Sequence, residues 1–188
     1  MDIIEILYKV AEATVCMMKW RHCEKTYRMI IDMKGNVEEA GVWHGYAICL
    51  EGLGKREESR EAYRIALELH LRNLRGRESY LWGGWAAFKL GEYELACKLF
   101  EEAVKEDPSY AYSWLSLSMA SRKCNREERA KEAMENYRKA IKEKPYKRRE
   151  CEGKEMLLEA YKESDGWVKD YIEGILEDIS NDKALESC

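Results

Sequence analysis

No stretch of this chain approaches the roughly 18 consecutive apolar residues that span a bilayer, which excludes a helical membrane protein. The opening residues, Met1-Asp2-Ile3-Ile4-Glu5, carry acids where a secretory signal would carry positive charge. A soluble cytoplasmic protein is therefore expected. No C-x-x-C pair occurs among Cys16, Cys23, Cys49, Cys97, Cys124, Cys151 and Cys188, and their number is odd, which argues against both a zinc site and a disulfide framework. They read as reduced thiols, buried as small hydrophobes. Glutamine is missing altogether and proline occurs only twice, against 29 glutamates. Glutamate-rich, amide-poor usage limits deamidation and favours ion-pair networks, a tendency of proteins from hot environments, although seven cysteines and eight methionines run the other way.

What is present is enough to bury a core. Of the 188 residues, 46% are hydrophobic and 36% charged, which fits one domain. The net charge of -4 disfavours non-specific nucleic-acid binding. Charge is also polarised: from Tyr110 to Lys147 ten Lys or Arg meet five acids, whereas from Arg148 onward six meet twelve. Either an acidic partner docks near Arg122, Lys123, Arg126 and Arg129, or basic and acidic parts pair between neighbouring segments or molecules. Charge runs on helices are most often solvated faces.

The clearest pattern lies between Arg77 and Tyr110. It places Tyr80 fourth, Gly83 and Gly84 seventh and eighth, then Gly91, Tyr93, Ala96, Phe100, Ala103 and Pro108. This 34-residue unit resembles a tetratricopeptide repeat, a helix hairpin in which small residues let two helices approach and a ring fills the space beside them. Residues 40–73 follow the same register through Trp43, Ala47, Gly54, Ser59, Tyr63 and Ala66, with Leu74-Arg75-Gly76 as an insert in which Gly76 is free to take positive φ. Residues 111–147 follow through Trp114, Leu117, Ser118, Ala133, Tyr137, Ala140 and Pro145, with three extra residues before Glu132 that extend the helices or their turn. Residues 4–37 are a degenerate first unit with Met18 at the usual turn glycine. Residues 148–181 are a degenerate hairpin or capping helices, and 182–188 a frayed tail. The fold expected is all-α, a single right-handed superhelical solenoid of antiparallel helix hairpins over residues 1–188.

The resemblance implies a concave groove lined by the first helix of each unit. On the family's geometry the groove takes His44, Ile48, Leu81, Trp85, Phe88, Tyr112, Leu115, Met119, Arg122 and Lys123. Trp85, Phe88, Tyr112, Leu115 and Met119 then form an apolar patch suited to a hydrophobic or helical peptide. The alternatives are that the amphipathic stretch from Gly166 to Ile179, with Ile172, Ile175, Leu176 and Ile179 on one stripe, folds back to fill the groove, or that a second copy does. The family's carboxylate clamp would need Lys, Asn, Asn, Lys and Arg; this chain has His44, Ile48, Trp82, Tyr112 and Ser116 instead. None matches.

Signals for chemistry are weak. Gly52-Leu53-Gly54-Lys55 lacks the spacing of a phosphate loop and reads as the turn between two helices. His22, His44 and His70 occur singly, without the i, i+4 pairing of a helical metal site, and His22-Cys23 near Cys16 is a poor metal candidate. No enzyme, cofactor or metal is expected. The implied function is a non-catalytic scaffold or adaptor that binds another protein or peptide, with self-association into a homo-oligomer through terminal helices as the second reading. RNA binding is supported least.

Overall fold

The computed structural model describes residues 2–143 and 149–180. Among these the chain forms ten α-helices and no strand: α1 (Ile3–Cys16), α2 (Trp20–Lys34), α3 (Ala40–Gly52), α4 (Arg56–Arg72), α5 (Gly76–Leu90), α6 (Tyr93–Glu106), α7 (Ala111–Lys123), α8 (Glu127–Glu143), α9 (Arg149–Glu163) and α10 (Gly166–Ser180). Helices α7 and α8, at 13 and 17 residues, repeat the lengths of α3 and α4 with an equally short turn between them, so the three extra residues expected before Glu132 lengthen neither the described helices nor their turn. The expected stop at Pro145, the tail 182–188, and the side chains of Cys151 and Cys188 lie outside the described residues.

Most of the described turns are built on left-handed residues. Gly76 takes φ 68°, as expected for the insert. Met18 stands where the first unit would place a glycine and still adopts φ 54°, at a cost of about 1 kcal/mol for a side chain in that region. The turn is closed by the Lys19 amide donating to the Thr14 carbonyl at 2.8 Å.

The chain divides into two compact units. One comprises Met1–Val37, Gly45–Ser59 and Lys147–Cys188; the other comprises Glu38–His44 and Arg60–Tyr146.

In the first unit, α1 buries Ile6, Leu7, Val10, Ala11, Ala13 and Thr14, the stripe that a 3.6-residue period generates. Asp2 caps it, its carboxylate accepting from the Ile4 amide at 3.1 Å. The Tyr27 ring of α2 lies so close to Gly45 that a Cβ there would overlap it, and Trp20 covers Gly52 in the same way. Cys23 on α2 is disulfide-bonded to Cys49 on α3 across a Cα–Cα distance of 5.7 Å. This corrects the expectation of reduced thiols throughout: the repeat lays the second helix of one hairpin along the first helix of the next, and bridging range follows.

The C-terminal helices form part of this unit. Helix α9 packs on α1 as closely as α2 does, and more extensively than it packs on α10. Gly153 makes this possible, since a Cβ there would sit 2.7 Å from the Ala13 carbonyl oxygen. Lys9 pairs with Glu163 at 2.5 Å. From α10, the Tyr171 hydroxyl meets Thr26 Oγ1 at 2.8 Å and Asp178 meets His22 Nε2 at 2.9 Å. Ile172, Ile175 and Ile179 are buried. The apolar stripe proposed as a groove filler is thus already used in packing its own unit.

In the second unit, α5 packs on α6, α6 on α7, and α7 on α8. Phe100 lies over Gly84, where a Cβ would come 2.6 Å from Cε1 of the ring. Ser118 Oγ donates to the Ala130 carbonyl at 2.9 Å, joining α7 to α8. Trp114 Nε1 donates to the Pro108 carbonyl at 2.8 Å, fixing the start of α7 against the preceding turn.

Replacing Gly84 by Leu should overpack this contact and destabilise the chain by about 1–3 kcal/mol in urea unfolding; an unchanged midpoint would contradict the ring-over-glycine contact.

Candidate functional site

The groove residues expected from the sequence do not share one environment. Leu81 and His44, at 1% and 6% exposure, are buried. Both are packing residues, a correction to their expected place on an open face. Ile48 is half-buried and falls in the first unit. Trp85, Phe88, Tyr112 and Leu115 are half-buried; Met119, Arg122 and Lys123 are exposed.

Helical spacing explains which of these meet. Trp85 and Phe88 are three apart on α5, and Tyr112, Leu115 and Met119 step along one face of α7. The two helices touch through Trp85 and Tyr112, whose rings stack at 5.8 Å with planes 18° apart. Phe88 meets Trp85 edge-on at 5.4 Å, and Tyr93 meets Phe88 at 5.3 Å. On the other side Trp82 lies 6.3 Å from Tyr112 and 5.3 Å from His44, which in turn contacts Tyr63 at 5.5 Å and His70 at 6.1 Å. The outcome is a continuous run of rings, buried at His44 and half-buried at Phe88 and Tyr93.

Sequence reasoning did not assign Trp82, His70 or Tyr93 to this run. The sequence pattern gives Trp82 only as a clamp position; its register beside His44 and Tyr112 is a tertiary property. Tyr93 is a repeat position in the sequence, and the ring run reaches it through Phe88.

The charges near the surface are largely committed. Arg126 pairs with Glu94, and Arg129 approaches Glu101 at 3.9 Å, so these two arginines meet acids of α6. Lys123 lies 5.8 Å over the Tyr93 ring. Arg122 remains exposed beside Met119. The His22-Cys23 pair is also engaged, Cys23 by Cys49 and His22 by Asp178. Among the described residues no three His, Cys, Asp or Glu side chains converge as metal ligands, and no helix is long and apolar enough to cross a membrane.

Stacked hairpins with rings over glycines, and a ring-lined face on their first helices, define a helical-repeat protein of the kind that binds other proteins. The family model for the tetratricopeptide repeat matches residues 50–111 and 83–147, and the chain belongs to that family. Solved structures share its fold. A Podosopora anserina protein of nearly identical TPR-like repeats, assigned as a kinesin light chain, is 15% identical over 96% of this chain and 97% of its own, with a TM-score of 0.57. MamA from Desulfovibrio magneticus RS-1 is 16% identical over 97% and 98%, with a TM-score of 0.53. A tetratricopeptide repeat protein from Parabacteroides merdae is 14% identical over 97% and 69%, with a TM-score of 0.50. No curated protein matches the chain in sequence.

Two histidines at the buried end of the ring run are held neutral. Burial, then the nearby His70 and Lys89 charges, lower the pKa of His44 from 6.5 to about 3. Burial lowers His70 to about 4. His44 Nδ1 and His70 Nε2 have no hydrogen-bond partner among the described residues, so protonation would strand a charge. Unfolded histidines take up protons below pH 6.5 that the folded ones refuse. Stability is therefore full above that pH and falls as pH drops towards 4, by about 1.4 kcal/mol per pH unit for each histidine. Urea unfolding at pH 7, 6 and 5 should show this loss, and His44→Phe should flatten it; equal slopes for the two proteins would contradict the burial of a neutral His44.

Proposed function

We propose that this chain is a non-catalytic interaction scaffold whose second unit binds a hydrophobic or helical peptide segment along α5 and α7. The observation that carries this reading is the Trp85–Tyr112 stack, half-buried, in edge contact with Phe88 and on the same face of α7 as Leu115 and the exposed Met119. Rings locked by one another lose little freedom when a partner arrives, which lowers the ordering cost of binding. Aromatic and methionine side chains supply contact area without demanding one fixed partner shape. Exposed Arg122 adds a preference for a partner segment with an acid near its apolar stripe.

Met119→Glu tests the reading with little risk to the fold, since the side chain is exposed. Against a panel of amphipathic helical peptides followed by tryptophan fluorescence, the wild type should bind at least one, and Met119→Glu should weaken that binding roughly tenfold with an unchanged melting temperature. Equal affinity for both proteins would remove α7 from the binding face.

A second reading is self-association through the terminal helices. It draws on Trp167 of α10, Leu158 of α9 and Ile3 of α1, all large apolar side chains exposed in the first unit. Light scattering across a hundredfold range of concentration separates the readings: a constant monomer mass would end the second, and a mass that doubles and is lost in Trp167→Lys would establish it.

A further inference from the structure

The disulfide Cys23–Cys49 spans 26 residues and ties the second helix of one hairpin to the first helix of the next. A second pair repeats that arrangement in the other unit. Cys97, buried on α6, and Cys124, half-buried where α7 ends, are 27 residues apart, and their Sγ atoms lie 3.2 Å from each other. The helix relation is the same: second helix of one repeat, first helix of the next. We propose that Cys97 and Cys124 are a thiol–disulfide site, which closes into a second inter-repeat bridge on exchange with a low-molecular-weight disulfide.

The surroundings suit a bridge that opens and closes. Cys124 sits at the helix end just before the left-handed Asn125, φ 55°, and its partial exposure lets a small reagent reach its sulfur. Cys97 is fully buried, with its sulfur next to that of Cys124. Arg126–Glu94 and Lys123–Tyr93 already hold this corner of α7 against α6, so closure needs only a local adjustment of the two side chains. In the exchange, Cys124 loses its proton and attacks one sulfur of the reagent disulfide, releasing one small thiol. Cys97 then loses its proton and attacks the Cys124 sulfur of the mixed disulfide, releasing the second. Two protein thiols are oxidised, one reagent disulfide is reduced to two thiols, and no other oxidant is required. Burial, then the hydrogen bond with Cys97 and the nearby Glu94 carboxylate, push the Cys124 thiol up to about 12. The first step is therefore slow at neutral pH and gains about tenfold per pH unit.

The full chain, treated with glutathione disulfide at about pH 8.5, alkylated and digested with trypsin without reduction, reports the linkage directly. Cys97 falls in the peptide 90–98 and Cys124 in 124–126. The expected result is a single species joining these two peptides, lost on reduction, together with the species that joins Cys23 to Cys49. In Cys97→Ala, Cys124 should instead retain one glutathione, the trapped intermediate of the exchange. The proposal is overturned if wild-type Cys97 and Cys124 are both recovered alkylated. It is equally overturned if wild-type Cys124 keeps glutathione, or if Cys124 is found joined to Cys16.

Discussion

Helices brought together at backbone distance, with a ring laid where a Cβ would otherwise stand, are the contact on which this molecule depends. Phe100 over Gly84, Tyr27 over Gly45 and Trp20 over Gly52 are three uses of one device. A hairpin of two short helices cannot bury its apolar face alone, so each must lean on a neighbour, and the small residue decides how near that neighbour comes. Where a serine replaces alanine the device changes only slightly. Ser59 Oγ donates to the Ala47 carbonyl at 2.9 Å, and Ser118 Oγ to that of Ala130 at 2.9 Å. A hydroxyl is thus accommodated at a dry helix contact because its one donor finds a carbonyl within reach.

The same rings that hold the second unit together also furnish its candidate binding face. This dual use comes from position: Trp85 reaches inward to Phe100 at 5.7 Å and sideways to Tyr112, while Phe88, one turn on, approaches solvent. Contact residues of this kind are never fully free of structural duty. The most informative changes on this face are those at its wet edge, where Met119 contributes area and little packing. The interior end is of opposite character, with two neutral histidines confined among rings.

Much of the hairpin architecture was legible because it depends on residues close in sequence. Tyr80, Gly83, Gly84, Ala96 and Phe100 belong to one 34-residue window, and their spacing fixes both helices and the approach between them. The turn at Met18 was legible by its place, although its backbone shape is supplied by a residue that rarely adopts it. What escaped the sequence is long-range. Helix α9 meets α1 across more than a hundred residues, through Gly153, whose neighbours give no hint that a helix will lie against it. The cysteines escaped for a related reason. A spacing of 26 residues means nothing by itself, and becomes a bridge only when one hairpin is stacked on the next. The facing of His44 and Leu81 failed differently, since a repeat-wide rule for groove positions does not foresee which first helix is covered by neighbouring rings.

The docking of α9 on α1 has a consequence for the order of events during synthesis. During synthesis α1 and α2 emerge before α9, so the surface of α1 that receives Gly153 and Lys9's partner Glu163 has nothing to meet until more than a hundred further residues are made. The segment between, which supplies α5 to α8, has its helix-on-helix contacts between near neighbours in sequence and can assemble as it emerges. Local contacts form quickly, whereas distant ones wait for the chain to bring its ends together. The packing of α1 is therefore completed after that of α5 to α8.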